Sequence, residues 1–149
     1  MTRGKSAVVV DILLVEDDPG DILLTREAWK ELETECRLHV ARNGEEALSF
    51  MRRQGGHRDA PRPDLVLMDL NLPRKDGREL LAEIKQDSAL RRVPVIVLTT
   101  SASAEDIRRV YDLHANCYLV KPVNLDELFE MMRAIHDFWL RTARLPSGD

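Results

Sequence analysis

The sequence predicts an α/β protein built on a doubly wound, five-stranded parallel sheet. Five apolar runs of strand length recur along the chain, and segments of helical pattern separate them. Parallel neighbours in a sheet need a crossover connection, and a helix is the usual crossover. The central runs are almost wholly apolar, which indicates that helices cover both faces of the sheet.

The strands are predicted directly from the apolar runs. Each run is shorter than an ordinary helix, and a helical pattern begins after it. The predicted strands are residues 12–15 (ILLV), 38–41 (LHVA), 65–68 (LVLM), 95–98 (VIVL) and 117–120 (CYLV).

The helix starts agree with this segmentation. Asp18 is a suitable N-cap, and the Pro19 that follows it fits the first position of a helix. Asn43 and Ser103 stand immediately before two further helical patterns and are predicted to cap them. Residues 52–63 are rich in Gly, Pro and Arg, so they are predicted to form an exposed loop after the second helix.

The last helix is predicted to be long, over residues 125–145. Its apolar residues span roughly 220° of arc at 100° per residue, which is wider than one core-facing stripe requires. We expect part of this face to form a homodimer interface; the alternative is a wholly intramolecular core with ordinary exposed apolar area. The predicted interface residues are Phe129, Met132, Phe138, Trp139 and Leu140.

Composition limits the classes of function. With 149 residues, 44% of them apolar, the chain is predicted to be one domain over residues 1–149, with a core at about 10–140 and short tails. A net charge of −4 disfavours a nucleic-acid binder. No apolar run is long enough for a membrane span or a secretory signal, so we expect a cytoplasmic protein with no membrane partner.

Polar residues follow four of the predicted strands at the point where each strand ends. In an open doubly wound sheet, ligands bind outside the carboxyl ends of the strands. Taken singly, these residues could be ordinary caps and turns, and Asp18 is best explained as a helix cap; their joint placement favours a site. The candidate residues are Glu16 and Asp17 after the first run, then Asp69, Thr99 and Lys121.

This set of residues predicts a metal-assisted phosphoryl acceptor. Clustered carboxylates raise one another's pKa unless positive charge compensates, and Lys121 supplies only one such charge. An all-oxygen site suits Mg²⁺ better than zinc, which prefers His or Cys. A carboxylate beside Mg²⁺, an ammonium and a hydroxyl can attack phosphorus, so Asp69 would become an aspartyl phosphate.

Four segments in order resemble the receiver domains of two-component response regulators: ILLVEDD, LVLMDLNLPRKDG, VIVLTTS and YLVKPV. The resemblance covers about residues 10–140 and implies the flavodoxin-like receiver fold with strand order 2-1-3-4-5. It implies a single-domain regulator that accepts a phosphoryl group from a sensor histidine kinase. The signal would then pass through the face formed by the fourth helix, the fifth strand and the fifth helix.

The resemblance also implies a role for each acidic residue. Asp69 would be the phosphoacceptor. Glu16 and Asp17 would hold Mg²⁺ directly or through water, together with Asp69 and the backbone carbonyl of Asn71. No enzymatic turnover is expected beyond self-dephosphorylation, because Asn71 stands where an aspartyl phosphatase carries its general acid.

Further roles follow from the same resemblance. Thr99 and Lys121 would bind the phosphoryl oxygens, and Tyr118 would be the aromatic switch that moves with Thr99. The bond between Lys121 and Pro122 would be cis, an isomer that costs little before proline. Gly77 would let the loop after Asp69 turn tightly beside the acceptor.

The partner is inferred from overall likeness. The chain most resembles the single-domain regulators that partner bacterial and cyanobacterial phytochromes, which implies a bacteriophytochrome-type histidine kinase as phosphodonor. Two alternatives stay open from the sequence: a dimeric adaptor that works without phosphorylation, and a chemotaxis-type motor regulator. A nucleotide-binding module is disfavoured, since neither glycine-rich phosphate motif is present.

Overall fold

The computed structural model describes residues 9–32 and 36–146 and confirms the predicted sheet. Five parallel strands lie in the order β2-β1-β3-β4-β5. The strands are β1 Val10–Val15, β2 Cys36–Ala41, β3 Leu65–Met68, β4 Val95–Thr99 and β5 Cys117–Val120. The helices are α1 Pro19–Lys30, α2 Gly44–Arg52, α3 Gly77–Gln86, α4 Ala104–Asp112 and α5 Leu125–Ile135.

Helix capping follows the sequence closely. The side chains of Asp18, Asn43 and Ser103 cap α1, α2 and α4 as predicted, each accepting a hydrogen bond from a first-turn N–H. Two caps were not predicted: Asp76 forms a capping box at α3, and Asn124 caps α5. These caps fix where each helix starts after its strand, and therefore which residues stand at the carboxyl edge of the sheet.

Helices cover both faces of the sheet, as the apolar strands predict. Alternate strand residues point to opposite faces. Leu13, Val66 and Val97 pack on one face with α2, α3 and α4, whereas Ile12 and Leu67 pack on the other with α1 and α5. On α4, Val110 is fully buried against the sheet, whereas Tyr111 beside it is 47% exposed.

The C-terminal helix differs from its predicted course. α5 continues beyond Ile135 as a π-helical segment, His136–Thr142, so the helix ends before Leu145. Met132 is fully buried in the core, where its side chain cannot contact a second chain. Its assignment to the dimer interface was therefore wrong, and its apolar character serves the packing of α5 on the sheet.

The 52–63 segment is largely exposed, as predicted, but it is also folded against α2. Arg53 ends the helix in the left-handed conformation, with φ of 57°. One turn of 3₁₀ helix, Gly55–His57, then brings the ring of His57 to 5.5 Å from the ring of Phe50. The aromatic contact anchors the segment to the second helix.

A polar cluster joins the first two strands near the amino end of β1. The buried Asp11 carboxylate accepts hydrogen bonds from Arg37 at 2.8 and 3.1 Å and contacts the His39 ring at 2.9 Å. Burial raises the pKa of Asp11, but these partners outweigh that effect and hold the pKa below its usual value.

Among the described residues, no helix has the length and apolar composition needed to cross a membrane.

Candidate functional site

The predicted site residues meet at the carboxyl edge of the sheet. Glu16 directly follows β1, Asp69 follows β3, Thr99 ends β4 and Lys121 follows β5. Because β1, β3, β4 and β5 are consecutive neighbours, these residues share one rim. Asp17 stands beside Glu16 on the exposed side of the rim.

The ammonium group of Lys121 is the centre of the site. Its Nζ lies 2.7 Å from Glu16 Oε1, 2.9 Å from Asp21 Oδ2 and 3.3 Å from Asp69 Oδ2. Burial by itself would lower the pKa of Lys121, but the hydrogen bonds and charges of these carboxylates raise it well above its usual value. The lysine therefore stays charged at the rim.

Glu16 is the most buried carboxylate of the site, with 3% of its surface exposed. Burial raises its pKa, and the hydrogen bond and charge of Lys121 oppose that rise. Its second oxygen accepts a hydrogen bond from the backbone N–H of Asp18 at 3.2 Å. Glu16 thus depends on Lys121 for its compensating charge.

The two oxygens of Asp69 have different surroundings. Oδ1 accepts hydrogen bonds from the backbone N–H groups of Leu70 at 2.7 Å and Asn71 at 3.4 Å. Oδ2 has the contact with Lys121 described above. The backbone therefore orients the carboxylate and leaves one oxygen facing the ammonium and the open rim.

The loop after Asp69 has the tight turn that the sequence predicts. The N–H of Gly77 donates to the carbonyl of Leu70 at 2.8 Å. A Cβ at position 77 would lie 2.5 Å from the Asp69 carbonyl oxygen and 2.6 Å from Leu70 Cα, so only glycine fits. Leu70 and Leu72 are buried in the core and anchor the loop to it.

Thr99 is fully buried. Its hydroxyl has no hydrogen-bond partner among the described residues. The backbone N–H of Lys121 donates to the Thr99 carbonyl at 2.7 Å, which couples the ends of β4 and β5. A buried hydroxyl without a partner carries a desolvation cost, which an acceptor at the rim would relieve.

The predicted switch residue, Tyr118, contacts the loop that follows Thr99. Its hydroxyl donates to the Ser101 carbonyl at 2.9 Å, and its backbone N–H donates to the Tyr111 hydroxyl at 3.1 Å. The Ser101 hydroxyl donates in turn to Asp106 at 2.7 Å. Tyr118 is thereby linked to the loop and to the first turn of α4.

The Lys121–Pro122 bond is trans, and the described residues contain no cis peptide bond. The cis prediction was wrong. The tertiary amide before proline makes the two isomers close in energy, so the dipeptide alone does not determine which one the fold contains.

Asp21 is the site residue that sequence reasoning missed. The predicted site residues immediately follow or end a strand, whereas Asp21 lies in the first turn of α1. Because α1 begins at the carboxyl edge, its first turn faces the same rim. An acidic residue in this turn was the available signal.

The donor chemistry of the rim fits a hard divalent cation. Every acidic side chain there offers oxygen, and the acceptor loop offers backbone carbonyls. In the described parts of the chain, no three His, Cys, Asp or Glu side chains are grouped to hold a metal by themselves. An ion would complete its shell with carbonyl oxygen and water, as Mg²⁺ commonly does.

Fold and site together define a phosphoryl-accepting signalling domain. Residues 12–133 of the sequence match the family model of the response regulator receiver domain. Response regulator Rcp1 of Synechocystis sp. is 50% identical over 137 residues, which are 92% of this chain and 93% of Rcp1.

Solved structures of response regulators have the same fold as this chain. The phosphorylated cyanobacterial phytochrome response regulator RcpA superposes with a TM-score of 0.91 at 49% identity, covering 94% of this chain and all of RcpA. The Mn²⁺-bound form of Rcp1 gives a TM-score of 0.88 at 49% identity, covering 93% of this chain and 99% of Rcp1. The chain belongs to the response regulator receiver domain family, whose members act in phosphotransfer signalling and bind a divalent metal.

Proposed function

We propose that residues 1–149 form one receiver domain in which Asp69 accepts a phosphoryl group from a sensor histidine kinase in a Mg²⁺-dependent reaction. The observation that supports this most directly is the contact between Asp69 Oδ2 and Lys121 Nζ, 3.3 Å apart, at the rim where the strands end. A backbone-oriented carboxylate beside an ammonium has the arrangement needed of a nucleophile toward an anionic phosphoryl group.

In the proposed step, one oxygen of Asp69 attacks the phosphorus of a phosphohistidine. An O–P bond forms as the P–N bond breaks, and the imidazole leaves. Lys121 and Thr99 bind the phosphoryl oxygens of the product, an acyl phosphate. Glu16, Asp17, Asp69 and the Asn71 carbonyl would hold Mg²⁺, which supplies charge neutralisation at the phosphoryl group when bound.

The proposed response begins at the Thr99 hydroxyl. Hydrogen bonding of this hydroxyl to the phosphoryl group would draw the end of β4 toward Asp69. Ser101 lies two residues further on and accepts the hydroxyl of Tyr118, so the movement would reach α4 and β5 through that contact. The altered surface would be the face formed by α4, β5 and α5.

The proposed phosphodonor is a bacteriophytochrome-type histidine kinase, with no nucleic-acid or membrane partner. The likeness to RcpA and Rcp1 supports this assignment. Val123 and Leu125 are exposed apolar side chains that line the pocket at the rim, where they offer a surface for a protein partner. Both cysteines are unpaired, in keeping with our proposal that the protein works in the reducing cytoplasm.

We also propose a homodimer through α5 and the edge of the sheet. Phe138 is 54% exposed and Val120 38% exposed, and both line an open apolar groove together with Trp139. Phe129 and Leu140 are half-buried against the core, and their exposed parts would contribute to the interface. The groove and the exposed ring of Phe138 would allow two copies to bury apolar area against each other.

The proposed function is tested by intact mass measurement with acetyl phosphate, with and without Mg²⁺, on the native chain and on Asp69→Asn. We expect one phosphoryl adduct that requires both Mg²⁺ and Asp69. Light scattering on the same samples measures the oligomeric state.

Other outcomes would favour other functions. A native chain that forms no adduct under conditions that trap acyl phosphates would favour the adaptor. Multiple turnover of a small phosphoester would favour a phosphatase, against our proposal that the only hydrolysis is self-dephosphorylation. A strictly monomeric mass in both states would exclude the homodimer.

A further inference from the structure

Asp21 shares the ammonium of Lys121 with the residues of the proposed phosphoryl site. A lysine ammonium has three N–H donors and accepts no hydrogen bond. The three donors of Lys121 are matched by three carboxylates: Glu16 at 2.7 Å, Asp21 at 2.9 Å and Asp69 at 3.3 Å. The two shorter contacts are to residues other than the acceptor.

Phosphorylation of Asp69 would require one of these contacts to change. The phosphoryl group adds oxygens with a charge of roughly −2, and all of them compete for the same three donors. One phosphoryl oxygen can take over the contact that Lys121 now makes with Asp69. Any further contact with the phosphoryl group requires the ammonium to move away from Glu16 or Asp21.

Glu16 and Asp21 differ in how easily they can lose the lysine. The Glu16 side chain is 4% exposed, and an unpaired charge there would be costly. The Asp21 side chain is 40% exposed and lies in the first turn of α1, where water and the helix N-terminus both stabilise a carboxylate. Asp21 is thus the partner that can release Lys121 at low cost.

We propose that Asp21 is a positioning residue that holds Lys121 in the resting state and competes with the phosphoryl group for its ammonium. The inference rests on the proposed phosphorylation of Asp69. In this role Asp21 opposes formation of the acyl phosphate and, once the phosphoryl group is in place, draws the lysine away from it. Asp21 therefore limits both how fast the signal forms and how long it lasts.

The test compares the native chain with Asp21→Asn, using acetyl phosphate as phosphodonor at Mg²⁺ concentrations that saturate each variant. We expect Asp21→Asn to be phosphorylated about two- to fivefold faster and to lose the phosphoryl group more slowly by a similar factor, the range expected for one partly exposed ion pair. Asp21→Glu keeps the charge and should behave like the native chain.

Glu27→Gln is the matched control. Glu27 lies on the same helix and pairs with Lys30 at 3.2 Å, so this change removes one negative charge without touching Lys121. It should leave both rates unchanged. The effect of Asp21→Asn should also largely persist at high salt, which screens the long-range attraction of the anionic donor much more than a partly buried contact.

The outcomes separate this inference from the proposed function. Opposite changes in the rates of formation and loss would support competition for Lys121. Slower phosphorylation of Asp21→Asn, or rates equal to those of the native chain, would overturn it. If the native chain itself forms no adduct on Asp69, the proposed function fails first.

Discussion

The Thr99 hydroxyl affects the stability of the protein. It is buried without a hydrogen-bond partner among the described residues, so it costs stability in the resting state. We expect Thr99→Val, which keeps the shape and removes the hydroxyl, to raise the free energy of unfolding by about 1 kcal/mol. Urea denaturation measures this change.

The same variant should still form the adduct on Asp69 but lose the structural response to it. Thr99→Ser, which restores a hydroxyl, is the matched control for that response. A loss of stability in Thr99→Val would contradict the interpretation that this hydroxyl has no hydrogen-bond partner in the native chain.

Lys121 compensates the buried charge of Glu16, so its removal should expose the electrostatic cost of that residue. We expect Lys121→Met to destabilise the fold by about 3–5 kcal/mol near neutral pH. Glu16→Gln in the same chain should recover most of the loss, since the most buried carboxylate of the site is then replaced by a neutral side chain. Thermal denaturation of the single and double variants provides the comparison.

The loss should depend on pH with a defined sign. The folded pKa of Glu16 already lies above its usual value, and removing Lys121 raises it further. Ionisation of Glu16 then opposes folding, so the stability of Lys121→Met should fall as pH rises above about 4.3. A double variant with the same pH dependence would show that another group is responsible.

At the level of elements, α5 and the π-helical segment that continues it divide between core packing and exposed apolar surface. Met132 is fully buried, whereas Phe138 is 54% exposed. We expect Met132→Ala to lower the free energy of unfolding by about 2–5 kcal/mol through the cavity it leaves. Phe138→Ala should change it by less than about 0.5 kcal/mol and weaken self-association in sedimentation. Equal effects of the two changes would contradict this division.

The elements were largely predictable because their signals are local. Apolar runs mark the strands, and Asp18, Asn43 and Ser103 mark the helix starts. The interface assignment failed at Met132 because a 100° projection of the whole C-terminal segment cannot tell which part of a wide apolar arc faces the sheet. The π-helical turns from His136 onward also break the assumed period of 3.6 residues.

The site was predictable where its residues stand at strand ends, and not where they depend on tertiary packing. Strand ends brought Glu16, Asp69 and Lys121 to one rim, because parallel strands share a carboxyl edge. Asp21 reaches that rim from within a helix, so its role depends on how α1 is placed over the sheet. The isomer before Pro122 is likewise set by tertiary contacts and not by the dipeptide.

On the scale of the whole molecule, phosphorylation should alter one side of the domain. We expect hydrogen exchange to change in α4, β5 and α5 when acetyl phosphate and Mg²⁺ are added. The cluster around Asp11, near the amino end of β1, should stay as protected as before. Removing the metal with EDTA, or substituting Asp69→Asn, should abolish the change. A response spread evenly over all five strands would contradict this asymmetry.

The edge strand β5 has one further consequence. The Tyr111 hydroxyl accepts the backbone N–H of Tyr118, a donor on the strand that ends the sheet. A second chain could not add its own strand here without displacing that hydroxyl. Two copies meeting at this edge are therefore steered toward side-chain contact and away from a continuous ten-stranded sheet.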